Sequence, residues 1–390
     1  MTDTAAIDTV LRSAVESGAV PGLVALAADR DGPIYEGAFG RRDLDAPAPM
    51  TPDTVFWIAS MTKAITSVAA MQLVEEGRLP LDAPLGGLLP DLAAPQVLEG
   101  FAADGTPRLR PARRPITLRH LLTHTAGFTY NTWNAAMARY MERTGLPAPR
   151  SGKLASLRAP LVFEPGERWE YSIATDWVGR AVEAATGQRL EVILQERILG
   201  PLGMADSGFV PGASQRARRA RVHQRDAAGG LTPIDFQLPE APEFFGGGGG
   251  LLSTGPDYLR FLRMLLQGGA LDGVRLLRPE TVAEMGRNQI GALEFRPMRS
   301  ALPALSNDFD PFPGMSRKWG LGFLINGEDV PGRRAAGSLA WAGLGNTWFW
   351  IDPRRGVAGV LLTQILPFAD PAVLEVLGRF EAAVYAGRAA

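Results

Sequence analysis

The chain has 390 residues, of which 46% are hydrophobic and 21% charged, and its formal net charge is -1. That length accommodates one large domain or two intimate ones, and the balanced charge provides no global field for nucleic acid or an anionic membrane. With no cysteine and three scattered histidines (His120, His124, His223), disulfides, thiol catalysis and cysteine metal sites are excluded, and no metal or other cofactor is expected.

The first residues show no basic region followed by an apolar core, and no apolar run reaches the ~18 residues of a membrane span, so a cytoplasmic protein is expected. Residues 5–18 read as an amphipathic helix with Ile7, Val10, Leu11 and Val15 on one face. Two strands follow, 22–28 and 33–39, joined by the turn Asp29-Arg30-Asp31-Gly32. The apolar run Val55-Phe56-Trp57-Ile58-Ala59 is strand-like and leads into a helical pattern from Ser60 to about Glu76. From 80 to 239 the chain is rich in Pro, Arg and Ala, and its periodicity predicts helices near 118–123, 135–143, 176–186 and 190–199. Its basic stretches, 108–114 and 216–225, lack interleaved aromatics and read as solvated loops. Strand patterns return at 335–341, 346–352 and 357–363, and Asp370-Pro371 opens a closing helix to 386.

These elements predict an α+β fold whose central sheet is assembled from both ends of the chain. The expected division is a discontinuous α/β domain, 1–79 with 241–390, and a mostly helical inserted domain, 80–240.

Ser60-Met61-Thr62-Lys63 is the stretch richest in chemistry. Residues three apart on a helix share a face, so the Lys63 amine lies beside the Ser60 hydroxyl. A neutral amine there can take the hydroxyl proton and make a nucleophile. The chain holds 14 Ser and three Lys, which makes an accidental match uncommon. The same four residues also suit an ordinary helix start, with Ser60 as cap and Lys63 in solvent.

An acyl-transfer site also needs a proton route and oxyanion donors. Tyr171, after the turn Glu164-Pro165-Gly166-Glu167, is the best tyrosine candidate, although taken alone it is more often a packing residue. Trp341-Ala342-Gly343-Leu344-Gly345 places small residues at a strand end, where backbone N–H groups could join that of Ser60. The run Gly246 to Gly250 lacks the context of a phosphate cradle and reads as a flexible or close-packed segment. There is no G-x-S-x-G elbow and no H-E-x-x-H.

The order Ser60-x-x-Lys63, Tyr171-Ser172, Trp341-x-Gly343 resembles the serine β-lactamase and penicillin-binding protein superfamily, on its class C side. It is most similar to the family VIII carboxylesterases (EstB-like). The resemblance extends to the stretches 120–128, 201–209 and 247–254. It implies a serine β-lactamase-like fold with the nucleophile between an α/β and a helical domain. It also implies Ser60 as the acylated residue, Lys63 and Tyr171 as the base system, and the N–H groups of Ser60 and Leu344 as the oxyanion hole. Two departures matter: Ile173 replaces the Asn of Tyr-x-Asn, and Trp341 replaces the Lys of Lys-Thr-Gly. An apolar indole in place of a carboxylate-binding lysine suits a neutral ester. Trp341, Gly343, Phe128, Tyr130, Trp133 and Trp348 are the expected substrate-binding residues.

The expected function is a serine carboxylesterase for small or short-acyl esters, with weak β-lactam hydrolysis as a side activity. The alternatives are an acyltransferase passing the acyl group to an alcohol, and a β-lactamase or D-amino-acid peptidase-type hydrolase. A small-molecule ester is the expected partner, with no nucleic acid and no membrane; the oligomeric state is left open.

Overall fold

The computed structural model describes residues 4–387 of the chain. Its core is a seven-stranded antiparallel sheet. The elements that position the site are α1 (Thr4–Glu16), β1 (Gly22–Asp29), β2 (Pro33–Gly40), α2 (Thr62–Glu75), α3 (Ala174–Thr186) and α4 (Gly255–Leu266). They continue with β3 (Arg317–Trp319), β4 (Leu324–Asn326), β5 (Leu339–Gly343), β6 (Thr347–Asp352), β7 (Val357–Leu362) and α5 (Pro371–Ala386). The strand order is β3-β4-β5-β6-β7-β1-β2, so both ends of the chain contribute to one sheet.

The α+β expectation therefore matches the architecture, with differences in detail. Strands β3 and β4, three residues each, were not predicted, because so short a segment carries almost no alternation. The basic stretch read as a loop instead forms a ribbon, Pro107–Pro111 pairing with Gln96–Phe101. The strand-like run 55–59 shrinks to Phe56–Trp57, paired with Leu252–Ser253.

Side chains alternate across a strand, and this sorts the sheet into two faces. On one face Val24 and Leu26 meet α4 so closely that a side chain at Gly255 would lie 2.3 Å from Leu26. Phe349 is on that face, 5.5 Å from Tyr258 of α4, and pairs across the ladder with Trp341. On the other face Trp350 packs 5.6 Å from Phe380 of α5, which in turn contacts α1. Helix α2 is buried over nearly its whole length, against α3. Its all-round apolar character is that of a central helix. The Tyr258 hydroxyl ties α4 to its start by donating to Met61 O at 3.0 Å.

A buried ion pair anchors α5 to the sheet end. Arg334 Nε and Nη2 donate to the two oxygens of Glu381, each at 2.8 Å, and both side chains are at most 5% exposed. Leaving one partner of such a pair unmatched in the interior costs about 3–5 kcal/mol. Glu381→Gln should therefore lower stability in urea by about that amount, whereas replacing both partners with apolar residues should be milder.

Candidate active site

The turn that carries Ser60 is built from several non-local contacts. Ile58 N donates to Leu251 O at 3.1 Å, and the chain then turns through Ala59, whose φ is +45°. A non-glycine residue in that region costs about 1–3 kcal/mol and persists only where its surroundings hold it. Thr62 supplies the hold: its Oγ1 donates to Ala59 O at 2.6 Å and accepts from Leu251 N at 3.1 Å. A 3-10 turn, Ala59–Met61, precedes α2, so Ser60 is not the helix cap. Its hydroxyl is left for Lys63.

Lys63 is 1% exposed. Its Nζ lies 3.2 Å from Ser60 Oγ, 3.1 Å from Tyr130 Oη and 2.6 Å from Gly248 O. As an ammonium it would donate all three bonds; as a neutral amine its lone pair could accept the Ser60 proton. The Tyr171 ring lies beneath the same nitrogen, 4.9 Å from its centroid. The Tyr171 hydroxyl, however, accepts from Trp341 Nε1 at 3.0 Å. Two tyrosines thus flank the lysine, and the hydrogen bond to it is made by Tyr130. Burial, together with Asp176 and Tyr171 nearby, pushes the Tyr130 pKa well up, so it is a neutral phenol at ordinary pH.

The glycine run brings its backbone into this site. Gly248 O takes the Lys63 bond, Gly247 O accepts from Thr66 Oγ1 at 2.8 Å, and Gly248 N donates to Asp176 Oδ1 at 2.8 Å. A Cβ at Gly248 would sit 3.0 Å from Asp176 Oδ1, which is why the approach needs glycine. Asp176, in the first turn of α3, is buried and borders the cavity in front of Ser60. Burial raises its pKa, against the lowering effects of the Lys63 charge and the Gly248 N–H. Sequence reasoning placed Asp176 only as a helix start. Its spacing of five from Tyr171 carries no signal until α3 folds against α2.

The loop end of β5 is pressed against the nucleophile turn. A Cβ at Gly343 would lie 2.2 Å from Ile58 O, and Thr347 Oγ1 donates to that same oxygen at 3.2 Å. Leu344 follows and borders the same cavity as Ser60, so the two expected oxyanion donors belong to residues on one cavity wall. The cavity encloses about 210 Å³, and Trp57, Trp133, Phe209, Leu238, Phe244 and Phe245 are among its apolar walls.

Of the expected substrate-binding residues, Tyr130 and Trp133 border this cavity, and Trp133 is fixed by a 2.9 Å bond from its Nε1 to Ser306 Oγ. Phe128 does not; it is buried and stacks on Trp177 at 6.2 Å. Trp348 does not either. It pairs with Ala342, one register step from Trp341, and therefore shares the opposite face of the sheet with Trp350. Trp341 stands behind Tyr171, outside the cavity lining, and Gly343 contributes its close backbone packing. His124 Nδ1 lies 3.0 Å from Ser172 Oγ and its ring packs 4.9 Å from Tyr171; burial lowers its pKa well below the ordinary histidine value. His120 instead accepts from Thr117 N within the helix cap. No helix among the described residues is long and apolar enough to cross a membrane.

Comparison with known proteins places this geometry in a family. The β-lactamase family model matches residues 7–383. Monacolin J acid methylbutanoyltransferase of Aspergillus terreus is 37% identical, over 97% of this chain and 95% of its own. Lovastatin esterase of Penicillium rubens is 36% identical, over 97% and 98%. The unliganded structure of simvastatin synthase (LovD) from Aspergillus terreus superposes with a TM-score of 0.86 at 36% identity, covering 99% of both chains. A family VIII carboxylesterase structure is 18% identical at a TM-score of 0.69, over 98% and 97%, a likeness of fold alone. The superfamily expected from the motifs is the one that matches; the narrower family VIII label has only that likeness behind it. The chain belongs to the β-lactamase family, as a serine enzyme of the acyl-enzyme type that hydrolyses or transfers acyl groups.

Proposed function

We propose that the chain is a serine carboxylesterase that forms an acyl-enzyme on Ser60 from a neutral, apolar ester. The observation that carries this reading is the Ser60–Lys63–Tyr130 contact set at the base of an apolar, aromatic-walled cavity. Ser60 Oγ attacks the ester carbonyl while its proton passes to Lys63. The carbonyl oxygen gains charge that the N–H groups of Ser60 and Leu344 would meet. When the C–O bond breaks, a proton moves from Tyr130 to the departing alcohol and is replaced from Lys63. Water then attacks the acyl carbon and gives its proton to Lys63; the bond to Ser60 Oγ breaks, Oγ takes the proton back from Lys63, and the acid leaves.

Acyl transfer is the second reading, favoured by the apolar cavity and by similarity to a methylbutanoyltransferase. The two readings share every step until the acyl-enzyme and differ only in the acceptor. Ser60→Ala should abolish turnover of p-nitrophenyl butyrate. With the unaltered enzyme, adding an alcohol at millimolar concentration separates the readings. Acid as the main product supports the esterase; a new ester formed out of proportion to the water present supports the transferase.

The two tyrosines divide differently in this scheme from the assignment that the motifs imply for Tyr171. Tyr130 borders the cavity, and Tyr171 is held behind it by Trp341. Tyr130→Phe should slow alkyl esters, whose alkoxides need a proton, more than p-nitrophenyl esters, by about 10²-fold. Tyr171→Phe should slow both classes to a similar degree, through Lys63. If instead Tyr171→Phe shows the leaving-group dependence, Tyr171 is the relay.

Asp176 supplies negative charge beside Lys63 at a cost in stability. Its folded pKa is raised, so the native state holds its proton more tightly than the unfolded chain does. The stabilisation from that proton is full below the unfolded value of about 3.9 and is lost as pH rises through the folded value. Asp176→Asn keeps the acceptor for Gly248 N–H but no charge. It should raise the urea midpoint at pH 7, with the gap closing below about pH 4, and it should slow turnover.

A further inference from the structure

The cavity in front of Ser60 is apolar along most of its wall, but one cation borders it. Arg150 lies in the short turn Pro149–Ser151, and the neighbouring Ala148, Pro149 and Gly152 border the same cavity. Its guanidinium carbon stands 5.3 Å from the centre of the Phe236 ring. Phe236 in turn stacks on Trp57, at 4.4 Å between centroids and 28° between planes. Trp57 borders the cavity and is pinned by a 2.7 Å bond from its Nε1 to Gly249 O. Arg219 Nη2 donates to Phe236 O at 3.3 Å, which holds that residue from its backbone. The guanidinium is thus laid on a fixed aromatic stack that runs to the cavity.

What Arg150 lacks is a partner. Among the described residues it makes no ion pair and no hydrogen bond, while its side chain is exposed. Other arginines of this chain take carboxylates: Arg110 with Glu99 at 2.8 Å, Arg119 with Asp82, Arg225 with Asp370. Asp176, the carboxylate bordering the same cavity, is committed to Gly248 N and lies beside Lys63. A planar fork of N–H donors matches a carboxylate in two parallel bonds, and arginine keeps its charge at any ordinary pH. A single fork beside apolar walls suits one carboxylate on an apolar body better than a phosphate, which calls for several donors.

We propose that Arg150 is an anion subsite of the acyl-transfer cavity, and that the substrate is an amphipathic molecule whose carboxylate it binds while an ester group lies at Ser60. The inference rests on the acyl-enzyme reading above and names its substrate class. The carboxylate can belong to the acyl part or to the alcohol part, and both present the same chemistry to Arg150.

Three esters test this: p-nitrophenyl butyrate as the neutral reference, the mono-p-nitrophenyl ester of glutaric acid with its carboxylate on the acyl side, and 3-butyryloxybenzoate with its carboxylate on the alcohol side. Arg150→Leu should lower the ratio of kcat/KM for one carboxylate ester over the neutral ester about tenfold, mainly through KM. Arg150→Lys should give an intermediate ratio, and added salt should shrink the wild-type preference. The ester whose ratio falls identifies the side that carries the charge. An unchanged ratio for both carboxylate esters overturns the subsite. Calorimetry of glutarate and 3-hydroxybenzoate with Ser60→Ala, alone and combined with Arg150→Leu, reads the subsite without turnover. If no ester is turned over by the wild type, the acyl-enzyme reading fails. Arg150-dependent binding of either carboxylate would then still support the subsite, and its absence would overturn it.

Discussion

A lysine amine buried to 1% exposure must be surrounded by groups that satisfy it, and much of this molecule is arranged around that requirement. Moving an ammonium out of water costs several kcal/mol even after relaxation, unless oxygens and negative charge replace the solvent. Here the oxygens come from three separate parts of the chain: Ser60 one turn back, Tyr130 in the loop after the helix Leu118–Leu122, and Gly248 in the glycine run. Asp176 brings the charge from α3. None of these can move far without leaving the amine unsatisfied, so the packing of α2 against α3 and the path of residues 246–250 are tied to the chemistry of Lys63. The nitrogen that contacts Ser60 thereby holds the site together.

The sheet provides the second constraint. Because side chains alternate, β5 and β6 send Trp341 and Phe349 to the face that carries α4 and the nucleophile, and Trp348 and Trp350 to the face covered by α5. Trp341 can therefore reach Tyr171, and Trp348 cannot reach the cavity. At the end of β5, Gly343 lets the strand lie against Ile58 O, and Leu344 then borders the same cavity as Ser60. Where the resemblance leads one to expect a lysine, Trp341 holds an indole whose single N–H is donated to Tyr171, so it adds no charge beside the site. The positive charge offered to a substrate comes instead from Arg150, on the opposite kind of element, a surface turn.

The long periodic segments were readable without coordinates. Helices α1, α2 and α5 and strands β1, β2, β6 and β7 all carry enough turns or alternations for their pattern to stand out, and they lie within a few residues of the expected bounds. Ser60 and Lys63 were readable because one helical turn fixes their separation, whatever the rest of the chain does. The acyl-enzyme chemistry was what the resemblance carried by the order of the motifs implied.

Tertiary structure alone decided the rest, since it depends on distances between residues remote in sequence. Which tyrosine hydroxyl meets Lys63 turns on the separate paths of residues 130 and 171, 67 residues from Lys63 in the first case. That five glycines would cradle a lysine and an aspartate depends on α2 and α3 packing side by side. Which strand tryptophan meets Tyr171 depends on a one-residue register in β5 and β6, and a strand pattern that is apolar on both faces does not reveal it. The sequence by itself determined the pairing of Ser60 with Lys63 and the kind of sheet that carries them, because those are short-range or strongly periodic. The fold decided which tyrosine hydroxyl bonds Lys63, the carboxylate beside it and the walls of the cavity, because each is set by the close packing of segments that no local pattern brings together.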